Sequence, residues 1–156
     1  MIFNEVYDDL FNKALYHDGV YYVQCISADL RMGRGIAEQF NDHFDMKRKL
    51  MEKYKIEDTI ESFRHQKAEV IFTKEAPVFN LITKEHYWDK PNLASMAEAL
   101  KLLRFYCGVF EVKELLMPKI GCGLDKLEWK SVKKIIFSVF ERTDINITVC
   151  KLREVV

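Results

Sequence analysis

The sequence is short of the residues and segments that mark linkers, membrane spans and secretion. Only 6 of its 156 residues are glycine and 3 are proline. No repeat or Pro-rich linker divides the chain, which predicts a single domain over residues 1–156. No apolar run approaches the about 18 residues of a transmembrane helix. The first residues, MIFNEVYDDLF, carry acids where a secretion signal needs a basic start. We therefore expect a soluble, cytoplasmic domain that engages no membrane.

The chain also lacks net charge and clustered metal ligands. Lysine and arginine number 24, as do aspartate and glutamate, so no broad attraction to nucleic acid or to an anionic membrane is expected. The 4 histidines are scattered. The cysteines form no CxxC pair, which indicates small buried thiols and neither disulfides nor zinc; they are Cys25, Cys107, Cys122 and Cys150. We predict no metal, no cofactor and a monomer.

Short apolar runs rich in β-branched and aromatic residues predict six strands. These runs are residues 2–7, 20–26, 69–72, 78–82, 113–117 and 145–151. Apolar residues recur at helical spacing between them, which predicts core-facing helices and a break between the first two. The predicted helices are residues 35–44, 45–54, 92–107 and 129–142, with the break at 43–45. Residues 56–67 are polar; we expect a helical turn there and assign no helix or strand to this segment.

Strands that alternate with helices indicate an α/β fold with a largely parallel sheet covered on both faces. In such folds, ligands bind where loops leave the carboxyl ends of the strands. We therefore expect the functional residues on those loops.

Two glycine-containing loops occupy equivalent places, each between a strand and a helix. Gly33 and Gly35 follow the second predicted strand, and Gly121 and Gly123, within PKIGCGLD, follow the fifth. Glycine lets backbone amides point inward at a helix N-terminus, where they bind phosphate oxygens. Two such loops suggest a diphosphate between them. The alternative is that the glycines serve turn geometry alone.

Two common nucleotide-binding classes do not fit these loops. GRGIAE does not complete GxGxxG, and it follows the second strand instead of the first, which disfavours a dinucleotide oxidoreductase. GxxxxGK[ST] is absent, which disfavours a P-loop kinase or NTPase.

Lys84 and Asp125 are the candidate reactive groups. Lys84 ends the buried run VFNLITK; it is either a solvated strand end or, if partly desolvated, an amine that attacks an electrophilic carbon. Asp125 follows Gly123, where it either caps the next helix or exchanges a proton with that amine. Cys122 lies between glycines, but no histidine is near it in sequence, which disfavours a cysteine nucleophile.

These segments together resemble a known family. QCISADLRMGRGIAEQF, LITK, MPKIGCGLDKLEW and INITVCKL are similar to macrodomain sequences, and most to the terminal ADP-ribose protein glycohydrolase class. The combination of LITK with PKIGCGLD carries this resemblance. It implies a three-layer α/β/α fold with a mixed, largely parallel six-stranded sheet, and an ADP-ribose site on the loops described above.

The resemblance also implies roles for individual residues. Lys84 matches the nucleophilic lysine of the class and Asp125 its acid/base. Asp8 departs from the family pattern, which often has glycine there, and Arg34 stands where close relatives often have a small residue. Asp9 and Leu10 match the segment that holds adenine, and Leu152, on the last strand, matches a residue packed beside the adenosine. The residues implied to contact ADP-ribose are Asp9, Leu10, Ser27, Gly33, Gly35, Ile36, Thr83, Lys119, Ile120, Gly121, Cys122, Gly123, Leu124 and Leu152.

The activity implied by the resemblance is hydrolysis of the ester between ADP-ribose and a glutamate or aspartate side chain of a modified protein. O-acyl-ADP-ribose would be a second substrate. The alternatives are a module that binds ADP-ribose without catalysis, a hydrolase of ADP-ribosylated nucleobases in DNA, and an α/β domain whose glycines are turn elements only. The implied partners are ADP-ribose and mono-ADP-ribosylated proteins. We expect Tyr87 and Trp88 near the rim of the site, because they follow Lys84 out of its strand.

Overall fold

The computed structural model describes residues 1–152. Its strands are β1 Ile2–Tyr7, β2 Val20–Ser27, β3 Glu69–Ile71, β4 Val78–Lys84, β5 Glu114–Met117 and β6 Asn146–Lys151. Its helices are α1 Gly35–Phe44, α2 Met46–Lys53, α3 Ile56–Gln66, α4 Leu93–Val109 and α5 Trp129–Phe140. No helix within this range is long and apolar enough to cross a membrane.

The strands form one mixed sheet in the order β1-β6-β5-β2-β4-β3. Every neighbouring pair is parallel except β3 with β4, which is antiparallel. Five strands therefore end at the same edge of the sheet, which we call the carboxyl edge. This arrangement confirms the mixed, largely parallel six-stranded sheet expected from the sequence.

Helices cover both faces of the sheet, as the side chains of β4 show. Phe79 and Leu81 lie in the core shared with α4 and α5. Val78 and Ile82 lie in the core shared with the first three helices. Successive side chains of a strand point to opposite faces, so a strand buried on both faces is apolar at consecutive positions. That requirement explains the continuous run that predicted β4.

The polar exception in this strand is Asn80, which is fully buried. Its Oδ1 accepts a hydrogen bond of 2.8 Å from Gln24 Nε2 on β2, and its Nδ2 donates to the Ile71 carbonyl on β3 at 3.1 Å. Burying an amide costs little when its groups are bonded. Asn80 therefore ties β4 to both neighbouring strands.

The structure corrects the expectation for residues 56–67. This segment forms the 11-residue helix α3 where the sequence indicated only a helical turn. Its apolar residues are few, but Ile56, Ile60 and Phe63 lie on one face and pack on the core. Thr59 Oγ1 adds a hydrogen bond of 2.6 Å to the Ala28 carbonyl. Tertiary packing thus supports a helix whose sequence pattern is weak.

The break between the first two helices lies within the predicted region. Asp45 has a φ of 51°, in the left-handed region, and it separates α1 from α2. Left-handed backbone ends a helix because it cannot continue the intrahelical hydrogen bonds.

Candidate active site at the carboxyl edge

The ends of β2 and β4 form the floor of the candidate site. The amide of Ala28, just after β2, donates to the Lys84 carbonyl at 2.9 Å. Thr83 is buried, and its carbonyl accepts a hydrogen bond of 2.9 Å from Ser95 Oγ at the start of α4. Asn92 caps α4 in a reciprocal capping box with Ser95. Two strand ends and a capped helix therefore hold the backbone of Lys84 in place.

Lys84 and Asp125 meet in this site. Lys84 Nζ lies 2.6 Å from Asp125 Oδ1, and the two side chains are only 14% and 15% exposed. The amine also donates to the Tyr87 carbonyl at 3.3 Å. Glu128, not Asp125, is the N-cap residue of α5. Lys84 is therefore not a solvated strand end, and Asp125 does not cap α5. Instead, the amine lies beside the carboxylate and both are largely enclosed by the protein.

The first glycine loop presents an open helix N-terminus. Arg34 occupies the N-cap position of α1 without a side-chain hydrogen bond to the helix. The first amides of a helix have no intrahelical acceptor. The amides of Gly35 and Ile36 are therefore available to an anion, and the helix dipole favours negative charge there.

The second glycine loop, residues 119–125, packs closely against the core. Gly121 has a φ of 72°, and a Cβ there would lie 2.7 Å from Met96 Cε and 2.9 Å from Leu127 Cδ1. The Leu127 amide donates to the Gly121 carbonyl at 2.8 Å and closes the turn. Glycine is needed at this position both for the left-handed backbone and for the space.

Backbone amides of this loop also remain free. Among the hydrogen bonds within residues 1–152, none is donated by the amides of Gly123, Leu124 or Asp125. The two glycine loops approach each other, since a Cβ on Gly35 would lie 3.3 Å from Leu124 Cδ1. The loops that carry these two sets of amides are therefore neighbours, as binding of one diphosphate between them would require.

Cys122 does not have the properties of a nucleophile. Burial raises the pKa of its thiol to about 11. Its Sγ donates to the Ile120 carbonyl at 3.3 Å. A thiol with that pKa stays protonated at neutral pH, whereas the reactive species is the thiolate.

This fold and site have relatives of known structure and sequence. No family model matches the chain. The structure titled macrodomain of Mycobacterium tuberculosis DarG has a TM-score of 0.70 and 20% identity, covering 98% of this chain and 99% of that one. The Bos taurus protein named ADP-ribose glycohydrolase OARD1 is 38% identical over 130 residues, or 83% of this chain and 80% of the relative.

The chain belongs to the macrodomain family. The Homo sapiens protein of the same name is 37% identical over 128 residues, or 82% of this chain and 79% of that protein. This macrodomain is therefore homologous to named ADP-ribose glycohydrolases, which are hydrolases. The family and the fold expected from the sequence are confirmed.

The segment that the sequence assigned to adenine lies at the far end of the macrodomain sheet. Asp8 Oδ1 accepts hydrogen bonds from the Asp9 amide at 2.8 Å and from Asn12 Nδ2 at 3.1 Å, so Asp8 shapes this loop. Asp9 itself is exposed, and Leu10 is buried. Four strand spacings of about 4.8 Å separate β1 from β4, which places this loop about 19 Å from Lys84. The carboxyl edge thus suits an elongated ligand.

Leu152 lies close to that loop in the sheet register. Tyr7 pairs with Lys151, so Leu152 follows at the level of Asp8. It stands one residue beyond β6, where the sequence placed it on the strand, and it is 85% exposed. Its predicted contact with adenosine stays a prediction.

The other predicted contact residues divide by exposure. Ser27 and Ile120 are buried, Ile36 is half-buried, and Gly33 and Lys119 are exposed. Ser27 Oγ donates to Asp29 Oδ1. Their roles toward a ligand also stay predictions.

Sequence reasoning missed Asp29. Its Oδ1 accepts from the Arg31 amide at 3.2 Å as well as from Ser27, and its Oδ2 accepts from the Tyr87 amide at 2.9 Å. This carboxylate therefore joins the loop after β2 to the segment after Lys84. The available signal was an acid three residues beyond a predicted strand, at the edge where ligands bind.

Among residues 1–152, one group of possible metal ligands lies beside the site. The ligand atoms of Glu85, His86 and Asp89 lie within 4.8 Å of one another. Both carboxylates have partners within the protein, because Arg64 pairs with Glu85 and the His86 amide donates to Asp89 Oδ2 at 3.0 Å. The expectation of no metal stays a prediction.

Proposed function

We propose that this macrodomain is a hydrolase that removes ADP-ribose from glutamate and aspartate side chains of mono-ADP-ribosylated proteins. The observation that carries the proposal is the enclosed 2.6 Å contact between Lys84 Nζ and Asp125 Oδ1, at the place where the two glycine loops meet. Homology to named ADP-ribose glycohydrolases supports it.

Binding of the nucleotide part uses backbone groups. The free amides of the α1 N-terminus and of residues 123–125 donate hydrogen bonds to the diphosphate oxygens. The Asp9 carboxylate accepts from the exocyclic amine of adenine, and the Leu10 amide faces the ring. These contacts orient the distal ribose so that its anomeric carbon lies near Lys84.

The first chemical step is attack by Lys84. An ammonium group cannot attack, so Asp125 takes a proton from Nζ across their hydrogen bond. The nitrogen lone pair then forms a bond to the anomeric carbon. The bond from that carbon to the glutamate oxygen breaks, and its electron pair stays on that oxygen, which takes the proton from Asp125 and leaves as the carboxylic acid. Asp125 is then a carboxylate again and can act as the base in the next step.

The second step releases the sugar. A water molecule attacks the anomeric carbon and gives a proton to a neighbouring base, for which Asp125 is the carboxylate in reach. The carbon–nitrogen bond breaks, its electron pair returns to Nζ, and the amine is reprotonated. The products are free ADP-ribose and the regenerated Lys84–Asp125 pair. O-acyl-ADP-ribose, also an ester of the same sugar, is the second proposed substrate.

The test is release of free ADP-ribose from a peptide that carries ADP-ribosyl-glutamate. We expect release by the wild-type protein and none above background by Lys84→Arg, which keeps a charged partner for Asp125 but has no neutral amine near pH 7. The matched control, Lys113→Arg, changes an exposed ion pair with Asp144 and should act as wild type.

The rival class is a module that binds ADP-ribose without catalysis. Calorimetry with ADP-ribose on the wild type and on Lys84→Arg should give dissociation constants within about tenfold of each other, a difference of about 1.4 kcal/mol. Binding without release by the wild type would establish the rival. Turnover that survives in Lys84→Arg would exclude the covalent mechanism.

A further inference from the structure

Two large aromatic side chains stand exposed at the mouth of the site. Tyr87 is 48% exposed and Trp88 is 64% exposed. We call this pair the rim platform. Exposed aromatic side chains beside a polar cleft are typical of binding surfaces, because such rings bury a large area with little loss of side-chain entropy. The steps proposed above make no use of them.

The backbone fixes the rim platform beside the Lys84 amine. The Tyr87 carbonyl accepts from Lys84 Nζ at 3.3 Å, and the Tyr87 amide donates to Asp29 Oδ2 at 2.9 Å. Two residues after Trp88, Lys90 Nζ donates to the Leu124 carbonyl at 2.8 Å. The segment therefore bridges from the loop after β2 to the second glycine loop. A group attached to the distal ribose passes this rim on its way to solvent.

Each ring has one face supported by the protein. The Arg31 guanidinium lies 4.7 Å from the centre of the Tyr87 ring. His86 stacks on Trp88 with ring centres 4.4 Å apart and planes 6° apart. The two rings of the platform meet edge to face, at 5.1 Å and 81°. The corner between the rings is therefore preorganised, so a partner side chain that packs against it loses little entropy of ordering the protein.

Two cationic side chains beside the rim platform form no ion pair with a carboxylate within residues 1–152. Arg31 lies over the ring of Tyr87, and Lys90 donates to the Leu124 carbonyl. Of the nearby acids, Glu85 pairs with Arg64, and Asp29 and Asp89 accept hydrogen bonds from backbone amides. Arg31 and Lys90 are therefore the groups at this rim that can pair with acidic groups of a partner.

We propose that the rim platform binds the peptide that flanks the modified residue and makes the enzyme prefer acidic segments of its protein substrates. This inference rests on the proposed function and deepens it. One side chain of the peptide sits in the corner of the two rings, and neighbouring carboxylates face Arg31 and Lys90. Tyr87 and Trp88 thereby determine specificity for the leaving group.

The ring geometry favours a peptide over a nucleic-acid strand. Successive bases of a single strand stack on aromatic rings whose faces follow the backbone. Rings at 81° cannot take two successive bases in that way. The chain as a whole carries no net positive charge to attract a strand.

The test compares the ratio of kcat/KM for two substrates. The first is a peptide with ADP-ribosyl-glutamate between acidic residues; the second is O-acetyl-ADP-ribose, whose acetyl group does not reach past the rim. We expect Trp88→Ala to lower this ratio about tenfold, in line with loss of a buried tryptophan anchor. Arg31→Gln should lower the preference for the acidic peptide over a serine-flanked peptide about threefold.

The matched control is Phe105→Ala. Phe105 is an exposed aromatic of α4 that lies about 15 Å along the helix from Ser95, and its removal should leave the ratio within about twofold. An unchanged ratio in Trp88→Ala would overturn the inference while leaving the proposed function intact. A loss seen only with an ADP-ribosylated oligonucleotide would also overturn it. If the wild type hydrolyses neither ester, both proposals fall.

Discussion

Two lysine–aspartate ion pairs join distant parts of this macrodomain at opposite edges of its sheet. Lys84 and Asp125 meet at 2.6 Å at the carboxyl edge, with side chains 14% and 15% exposed. Lys113 and Asp144 meet at 3.0 Å just before β5 and β6, at the amino edge, with side chains 61% and 76% exposed. The residue types are the same, and the surroundings differ.

The difference shows how enclosure changes the use of an ion pair. Water and salt screen the exposed pair, so it contributes little to stability. Fewer waters reach the enclosed pair, so its electrostatic interaction is stronger and a proton can pass directly between its members. The loops at the carboxyl edge also present free amides around Lys84. A reactive role therefore fits the Lys84–Asp125 pair, whereas the Lys113–Asp144 pair is an ordinary solvent-exposed ion pair.

Removing each lysine should give the largest contrast between the two pairs. We expect Lys84→Ala to lower kcat for ADP-ribose release by about 1,000-fold or more, because the nucleophile is lost. Lys113→Ala should stay within about twofold of wild type. Initial rates with the ADP-ribosyl-glutamate peptide measure both. Equal effects of the two substitutions on kcat would show that the two ion pairs do not differ in catalytic role.

Replacing each aspartate by asparagine should give the next largest contrast. Asp125→Asn removes the group that exchanges protons with Lys84, and we expect a fall in kcat of about 100-fold. Asp144→Asn should have no effect on kcat. The assay for ADP-ribose release measures kcat for both variants. Activity of Asp125→Asn near the wild-type level would show that another group carries out the proton transfers.

The loop that carries Asp125 offers a contrast between two glycines. Gly121→Ala places a Cβ 2.7 Å from Met96 Cε at a positive φ, and we expect a loss of about 1–3 kcal/mol in the free energy of unfolding. Gly123→Ala meets no atom within 4 Å and should change stability far less. Thermal or urea unfolding of both variants measures this. A stable Gly121→Ala would show that the loop can move away from the core.

The smallest effect concerns the pH dependence of the exposed pair. The hydrogen bond and charge of Lys113 hold the pKa of Asp144 below its usual value. A depressed carboxyl pKa adds stability above the unfolded-state pKa of about 3.9, and this stability disappears as pH falls through the folded-state pKa. Lys113→Ala should therefore melt slightly below wild type at pH 7, and the difference should vanish in acid. A larger shift at neutral pH would show that the pair is not fully screened.

Much of this fold was readable from local sequence patterns. The six apolar runs correspond to the six strands, and glycine before a helix indicated both loops at the carboxyl edge. These signals are local because each element must present apolar side chains at its own period. The helix α3 was not readable, because only three apolar residues and the Thr59 hydrogen bond support it.

The candidate site was readable only in part. The sequence indicated Lys84 and Asp125 as candidate reactive groups because they lie at a strand end and after a glycine loop. The roles of Asp29 and the rim platform depend on contacts with residues far away in sequence, such as the hydrogen bond from the Tyr87 amide to Asp29. The spacing of apolar residues along one strand or helix does not predict such a contact.

The sequence by itself determined the six strands, four of the helices, the two loops and the family to which they belong. Only the tertiary structure decided that an amine and a carboxylate 41 positions apart lie in hydrogen-bonding contact and are shielded from solvent. The physical reason is that parallel strands bring their carboxyl ends to one edge, whatever the length of chain between them. Burial there depends on packing among loops and helices, which no single segment specifies.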